Sequence, residues 1–302
     1  MTEYIIEKKK AEELQQADYE AYAVSELEFP LLSQQPDKNR IDYFDIAYGK
    51  DGSNKLDIHH LKGAVRNPVI VFIHGGGWAR RDKDQSRFVA PSLLKEGYTV
   101  VSINYRLTGS LDENAIKIPH PAQIEDCAAA LKWVTENIET YGGDPNNIML
   151  LGHSAGAHLT ALLIGDTRWH QKYQIDFNRI KGWIGLSGIY DLTLEENYAH
   201  EWMPVFIRGL IDKEEEIRGA SPIEHIKGTE PPCLLIHGRN DYLVPITNSI
   251  HLFDRLSEKR SIAQLEMIDG IAHMDYFSRL GDAAHPVYKA ISQFLRKIVT
   301  QS

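Results

Sequence analysis

The stretch from Ile148 to Leu159, IMLLGHSAGAHL, constrains the fold of this chain more than any other feature. An apolar, strand-like segment leads into Gly152, Ser154 and Gly156, and a helix-like segment follows at once. This is the pattern G-x-S-x-G, in which the serine occupies a strained turn and exposes its hydroxyl above a sheet. Small flanking residues let the strand and the helix approach each other closely. The pattern therefore predicts that Ser154 is a nucleophile.

The rest of the chain alternates between strand-like and helix-like segments. Strands are predicted at IDYFDIAYG, KLDIHHL, PVIVFIHGGGW, YTVVSINYRL, NIMLLG, GWIGLSG, CLLIHG and AQLEMID. The first two predict a hairpin. Helices are predicted at PAQIEDCAAALKWVTENIETY, AGAHLTALLIG, 246–258 and 283–299. This alternation indicates an α/β fold, with a mostly parallel sheet of about eight strands and helices on both faces.

Two further segments are assigned from their composition. Residues 1–40 are expected to form a charged helical cap, and residues 41–302 the main domain. The irregular stretch at about 190–230 carries several aromatic residues, which fit either a cap over a pocket or ordinary packing. No apolar run approaches the ~18 residues of a membrane span, and the N-terminus lacks the apolar region of a signal peptide. We therefore expect a cytoplasmic protein.

Charge and composition exclude several classes of protein. The formal charge is −9, so nothing favours binding to nucleic acid or to an anionic membrane. Cys127 and Cys233 are expected to be buried, unpaired thiols. No H-E-x-x-H and no paired C-x-x-C occurs, and we predict neither a metal nor a cofactor. In the strand that carries His59 and His60, at least one imidazole is expected to face solvent, and RRDKDQSR is interpreted as a solvated rim.

The glycine-rich segment FIHGGGW follows a predicted strand. Attack by a serine on a carbonyl creates an oxyanion, which requires preorganised N–H donors, and successive glycines can turn their amides into one cavity. We expect these donors to be Gly76 and Gly77, joined by Ala155 at the start of the helix. His74 is expected to order the loop and Trp78 to form a pocket wall. The alternatives are a flexible turn or a phosphate-binding loop, but the Gly-Lys-Ser/Thr of the latter is absent.

The general base is predicted to be His273, between the last strand and the last helix. The acid that orients it is predicted to be Asp241 in HGRNDYLVP, after the preceding strand. Asp191 and Asp269 are the rival acids. The order Ser154, Asp241, His273 is the one expected for an α/β-hydrolase.

Taken together, HGGGW, GHSAGAHL, HGRNDYLVP and His273 resemble the α/β-hydrolase superfamily. The similarity covers about residues 40–300 and is strongest to the carboxylesterases of the hormone-sensitive-lipase-like and feruloyl-esterase-like branch and to the kynurenine formamidases. The loop satisfies both the His-Gly-Gly-Gly of the carboxylesterases and the His-Gly-Gly-x-Trp of the formamidases. The resemblance implies the α/β-hydrolase fold.

The function expected from these features is hydrolysis of small carboxylic esters through an acyl-enzyme intermediate. One alternative is an arylformamidase that hydrolyses N-formylkynurenine. A different class of protein, a hydrolase-fold binding protein without catalysis, is the second alternative. The expected partner is a small ester or formamide, and a homodimer is left open.

Overall fold

A central β-sheet organises the computed structural model, which describes residues 38–109, 117–199 and 202–299. Its strands are β1 (Arg40–Ala47), β2 (Lys55–Leu61), β3 (Asn67–Ile73), β4 (Thr99–Ile103), β5 (Gly143–His153), β6 (Ile180–Leu186), β7 (Cys233–Gly238) and β8 (Ala263–Ile268). Their order across the sheet is β1-β2-β4-β3-β5-β6-β7-β8. Nearly all of the predicted N-terminal cap, residues 1–37, lies outside the described residues.

The pairing of the strands confirms the predicted architecture. β1 pairs antiparallel with β2, as the predicted hairpin requires, and β2 pairs antiparallel with β4. The remaining neighbours are all parallel. Every residue of β4 and of β7 is buried, so both faces of the sheet are covered. Such two-sided burial explains why these strands are continuous apolar runs in the sequence.

The helices that cover the sheet are α1 (Ser86–Lys95), α2 (Ala122–Asn137), α3 (Ala155–Gly165), α4 (Thr167–Tyr173), α5 (Met203–Leu210), α6 (Thr247–Glu258), α7 (Tyr276–Arg279) and α8 (Pro286–Val299). The predicted helices correspond to α2, α3, α6 and α8. The other four are short, from four to ten residues, and were not predicted. Short helices take much of their stability from packing, so local sequence signals them weakly.

Two surface predictions are wrong. His59 and His60 are both buried, because β2 lies inside the sheet between β1 and β4. The segment RRDKDQSR is not wholly a solvated rim, since Lys83 is buried with its Nζ 3.0 Å from Asp45 and 3.2 Å from Asp57. The expectation for the thiols is confirmed, because Cys127 and Cys233 are buried and unpaired.

Candidate active site

Ser154 lies at the corner between β5 and α3. Its backbone has φ 55° and ψ −122°, a conformation that a non-glycine residue rarely adopts. Two hydrogen bonds hold it: its N–H donates to the Leu186 carbonyl at 2.8 Å, and its carbonyl accepts from His158 N–H at 3.0 Å. A Cβ on Gly152 would collide with the Gly156 carbonyl, and one on Gly156 would collide with the Ile73 carbonyl. The corner therefore requires both glycines.

Three side chains from distant parts of the sequence meet at this corner. Ser154 Oγ lies 2.9 Å from His273 Nε2, and His273 Nδ1 lies 2.8 Å from Asp241 Oδ2. Because a carboxylate can only accept, Nδ1 carries the proton and Nε2 is left to accept from the serine hydroxyl. All three follow the carboxyl ends of parallel strands, where functional residues of α/β sheets gather. The arrangement can transfer a proton from Ser154 to His273.

The environment of Asp241 favours its ionised form. Its Oδ1 accepts hydrogen bonds from the N–H groups of Leu243 at 3.1 Å and Val244 at 2.9 Å. Burial alone would raise the pKa of Asp241, but the neighbouring His273 and hydrogen bonds from His237 and His273 hold it well below the usual range. The buried carboxylate can therefore stabilise the imidazolium that forms on His273.

Neither rival acid reaches His273. Asp191 Oδ1 accepts from Thr193 N–H at 2.9 Å and from the Thr193 hydroxyl at 2.6 Å, which closes a local turn. Asp269 is exposed, with 91% of its side chain accessible, and pairs with Arg239. The structure brings Asp241, and neither of the other two, into contact with the imidazole.

Two buried histidines that the sequence analysis did not single out support this group. His237 Nε2 lies 3.0 Å from the Val244 carbonyl and 3.4 Å from Asp241 Oδ2. His153 donates from Nε2 to the backbone carbonyl of His273 at 2.8 Å. The sequence contained a signal for both: His237 is the penultimate residue of β7, four residues before Asp241, and His153 is the second residue of the G-x-S-x-G pattern.

The glycine loop, residues 75–77, lies against the nucleophile. A Cβ on Gly75 would be 2.9 Å from the His153 carbonyl and 3.1 Å from Ser154 Cβ. Gly76 and Gly77 have φ of +115° and +58°, which is the left-handed region that favours glycine. Ala155 begins α3 directly after Ser154. Ala155 thus adjoins the nucleophile, and Gly76 and Gly77 continue the loop from Gly75; the role of all three as oxyanion donors stays a prediction.

His74 lies beneath this loop and is fully buried. Its Nδ1 is 2.7 Å from the Gly75 carbonyl, and its ring stacks on Tyr105 with centroids 4.4 Å apart. The Tyr105 hydroxyl donates to the His74 carbonyl at 3.0 Å. Burial lowers the pKa of His74 to about 4, which keeps it neutral. His74 thus contacts the loop that it was predicted to order, and that role stays a prediction.

The pocket-wall prediction for Trp78 requires correction. Its side chain has no exposed area and packs in the core against His158, with ring centroids 4.9 Å apart at 83°. The indole N–H donates to His158 Nδ1 at 3.1 Å. From the sequence alone, an aromatic residue after a glycine loop is compatible with a pocket wall or with the core. The contact with His158 on α3 shows that Trp78 belongs to the core.

The stretch at 190–230 packs on the glycine loop. Helix α5 places Phe206, which is 4% exposed, against Gly77, where an added Cβ would be 2.6 Å from Phe206 Cε1. Tyr190 is fully buried. The stretch also contains a cavity of about 560 Å³, lined by Thr193, Tyr198, Ile207, Arg208, Ile211, Asp212, Glu214 and Ile217. Tyr190 and Phe206 thus both take part in packing, and the cap over a pocket stays a prediction.

Comparison with known protein families gives a direct assignment. The pattern of the BD-FAE family matches residues 56–256, two thirds of the chain. The chain belongs to the BD-FAE family. The matched range includes Ser154 and Asp241, whereas His273 lies beyond it.

Curated relatives of this BD-FAE protein are named as esterases. It is 32% identical to the probable carboxylic ester hydrolase LipM and 30% identical to the esterase LipQ, both of Mycobacterium tuberculosis. The alignments cover 84% and 78% of this chain but 61% and 63% of those relatives. It is also 29% identical to the isoprenylcysteine alpha-carbonyl methylesterase ICME of Arabidopsis thaliana, over 77% of this chain and 56% of the relative. The chain thus spans about three fifths of the length of these relatives.

Solved structures give the fold of the BD-FAE chain. Esterase B from Lactobacillus Rhamnosis superposes with a TM-score of 0.75 at 18% identity, covering 97% of this chain and 96% of that one. The carboxylesterase EstE1 from a metagenomic library superposes with a TM-score of 0.71 at 21% identity, covering 96% of each chain. The predicted α/β-hydrolase fold is thereby confirmed. None of the helices in the described ranges combines the length and the apolar character needed to cross a membrane.

Proposed function

We propose that this protein is a serine hydrolase that cleaves small carboxylic esters through an acyl-enzyme intermediate. The observation that carries the proposal is the unbroken series of contacts from Ser154 through His273 to Asp241, at 2.9 and 2.8 Å, beside a glycine loop. The names of the relatives, a probable carboxylic ester hydrolase and an esterase, support it.

In the acylation step, Ser154 Oγ attacks the ester carbonyl carbon while His273 Nε2 takes the hydroxyl proton. The carbonyl oxygen becomes an oxyanion, which accepts hydrogen bonds from the amides of Gly76, Gly77 and Ala155. Asp241 stabilises the imidazolium. The tetrahedral intermediate collapses when the bond to the leaving oxygen breaks and His273 returns its proton to that oxygen. The first product is an alcohol.

Deacylation repeats these steps with water as the nucleophile. His273 Nε2 removes a proton from the water as it attacks the acyl carbon, and the same amides hold the second oxyanion. The bond to Ser154 Oγ then breaks, and the proton passes from His273 to the serine. The second product is a carboxylic acid.

A substrate panel tests the proposal. The full chain is assayed with p-nitrophenyl acetate, butyrate and octanoate and with N-formylkynurenine in one buffer. We expect the acetate and the butyrate to give the highest kcat/KM, because the proposed substrates are small esters. A clear preference for N-formylkynurenine would overturn the ester assignment in favour of an arylformamidase.

A labelling experiment with a matched control tests the nucleophile. A fluorophosphonate probe should label the wild-type chain at one residue, and Ser154→Ala should abolish both labelling and turnover. Ser92→Ala is the control, because Ser92 in α1 is similarly buried, at 4% exposure, and its hydroxyl donates to the carbonyl of Leu280, the residue that follows α7. Labelling that survives in Ser154→Ala, or that is lost in Ser92→Ala, contradicts the assignment.

A further inference from the structure

Backbone contacts hold the first part of the glycine loop: His74 Nδ1 lies 2.7 Å from the Gly75 carbonyl, and the Gly76 carbonyl accepts from the N–H groups of Ala79 and Arg80 at 3.2 and 3.0 Å. Oxyanion donors are effective only when they are fixed in place before the reaction begins. Glycines adopt many conformations, so the position of Gly76 and Gly77 relative to Ser154 also depends on the residue that anchors the loop to α3. The nearest side chain on the C-terminal side belongs to Trp78, which follows Gly77 directly.

Trp78 is held rigidly although its backbone is unusual. Its φ is +59°, which is a rare value for a bulky residue, and its carbonyl accepts from Thr108 N–H at 2.9 Å. The whole side chain is buried, and its indole N–H donates to His158 Nδ1 at 3.1 Å. Because an indole nitrogen can only donate, His158 Nδ1 must be the unprotonated nitrogen of the imidazole.

His158 joins the loop to the nucleophile. It lies in the first turn of α3, and its backbone N–H donates to the Ser154 carbonyl. Its Nε2 carries the proton and donates to the Ala220 carbonyl at 2.8 Å. Both ring nitrogens are therefore in use. Burial lowers the pKa of His158 to about 3, so the imidazole stays neutral and keeps this tautomer.

We propose that Trp78 and His158 are a positioning pair that sets the oxyanion hole by fixing the glycine loop relative to Ser154. The inference rests on the proposed function. In this proposal, neither side chain touches the reacting atoms. The pair would act on the placement of the Gly76 and Gly77 amides, so it would stabilise the transition state more than the bound substrate.

Three single variants separate this role from simple packing. Trp78→Phe removes the donor and keeps a ring, and His158→Leu removes both imidazole bonds. Each should lower kcat for p-nitrophenyl butyrate by about ten- to hundredfold, with KM changed less than about twofold. His158→Asn retains an acceptor close to the position of Nδ1 and should recover most of the loss. Affinity for a trifluoromethyl ketone, which forms an oxyanion adduct on the serine, should fall in parallel with kcat.

The double variant Trp78→Phe/His158→Leu should be no slower than the slower single variant, because both changes break the same bond. His170→Leu is the control. His170 is a buried imidazole whose Nε2 contacts the Leu163 carbonyl and whose ring stacks on Phe177, so its loss should lower Tm and leave kcat unchanged.

Unchanged kcat and unchanged ketone affinity in Trp78→Phe would overturn the inference, as would losses that multiply in the double variant. Trp78→Phe decides the question even if His158→Leu does not fold. If the wild-type chain cleaves esters and these variants have the same kcat as the wild type, only the positioning role is refuted. A wild-type chain that neither cleaves esters nor reacts with the fluorophosphonate overturns the proposed function and the inference together.

Discussion

At the residue scale, the site depends on one carboxylate among several that the sequence offers. Asp241 receives two backbone N–H groups on one oxygen and the imidazole of His273 on the other. Asp191 Oδ1 instead accepts hydrogen bonds from the backbone N–H and the hydroxyl of Thr193. The two aspartates have the same chemistry, and their partners alone distinguish them. A pair of matched substitutions can therefore test the assignment.

Asp241→Asn should lower kcat for p-nitrophenyl butyrate by about 10⁴-fold, since an amide facing Nδ1 no longer fixes the tautomer and cannot stabilise the imidazolium. Asp191→Asn is the control and should leave kcat unchanged. The kcat of both variants is measured by steady-state kinetics, and their Tm values check that they fold. Near-native turnover in Asp241→Asn, or a loss confined to Asp191→Asn, would refute Asp241 as the acid.

At the element scale, helix α5 forms the outer support of the glycine loop. Phe206 packs so closely on Gly77 that no Cβ fits between the ring and the backbone. On the inner side, the loop packs against His153 and Ser154 through Gly75. The loop is thus enclosed between the nucleophile corner and helix α5, which begins 49 residues after Ser154 in the chain. This coupling predicts how a substitution in one element is rescued by a change in the other.

Gly77→Ala should lower kcat by about hundredfold, because the new methyl group collides with the Phe206 ring and the φ of +58° disfavours alanine. Adding Phe206→Ala removes the collision and should restore part of the loss. Gly52→Ala is the control, since a Cβ there meets no atom within 4 Å. The kcat of all three variants is measured on one ester. If the double variant is slower than Gly77→Ala, α5 does not restrain the loop in this way.

At the scale of the whole molecule, several buried imidazoles make stability depend on pH. Burial lowers the pKa of His74 and of His120 to about 4 and that of His158 to about 3, and His153 is also well below its ordinary value. In the unfolded chain these groups return to an ordinary pKa of about 6.5. Below that pH the unfolded chain binds protons that the folded chain does not. The stabilisation is therefore complete above pH ~6.5 and is lost as the pH falls towards 4.

The free energy of unfolding should accordingly fall between pH 6.5 and 4, by about 1.4 kcal/mol per pH unit for each such histidine. Urea denaturation midpoints across this range measure the slope. His120→Phe should make the slope shallower by about one proton, because desolvation lowers the pKa of the half-buried His120 and its Nδ1 has no hydrogen-bond partner in the described part of the chain. A midpoint that is constant from pH 7 to 4.5 would show that burial of these histidines does not govern stability.

Much of the fold and the site is encoded locally. Apolar runs bounded by glycine and proline predicted the strands, and G-x-S-x-G predicted the corner because only small residues fit where Gly156 meets the Ile73 carbonyl. The order Ser154, Asp241, His273 followed from the positions of polar residues after strands. These features could be predicted because each leaves a signal in a short stretch of sequence, even where the residues that it brings together are far apart in the chain.

The sequence by itself determined the α/β architecture, the nucleophile corner and the candidate base. Only the tertiary structure decided which aspartate contacts His273, that His59 and His60 are both buried, and that Trp78 pairs with His158 inside the core. It also decided that Phe206 closes over Gly77. Each of these outcomes depends on which distant segments meet across the sheet, and on the burial that follows. The local sequence pattern specifies neither these meetings nor this burial, because the packing of the whole chain fixes the partners of each side chain.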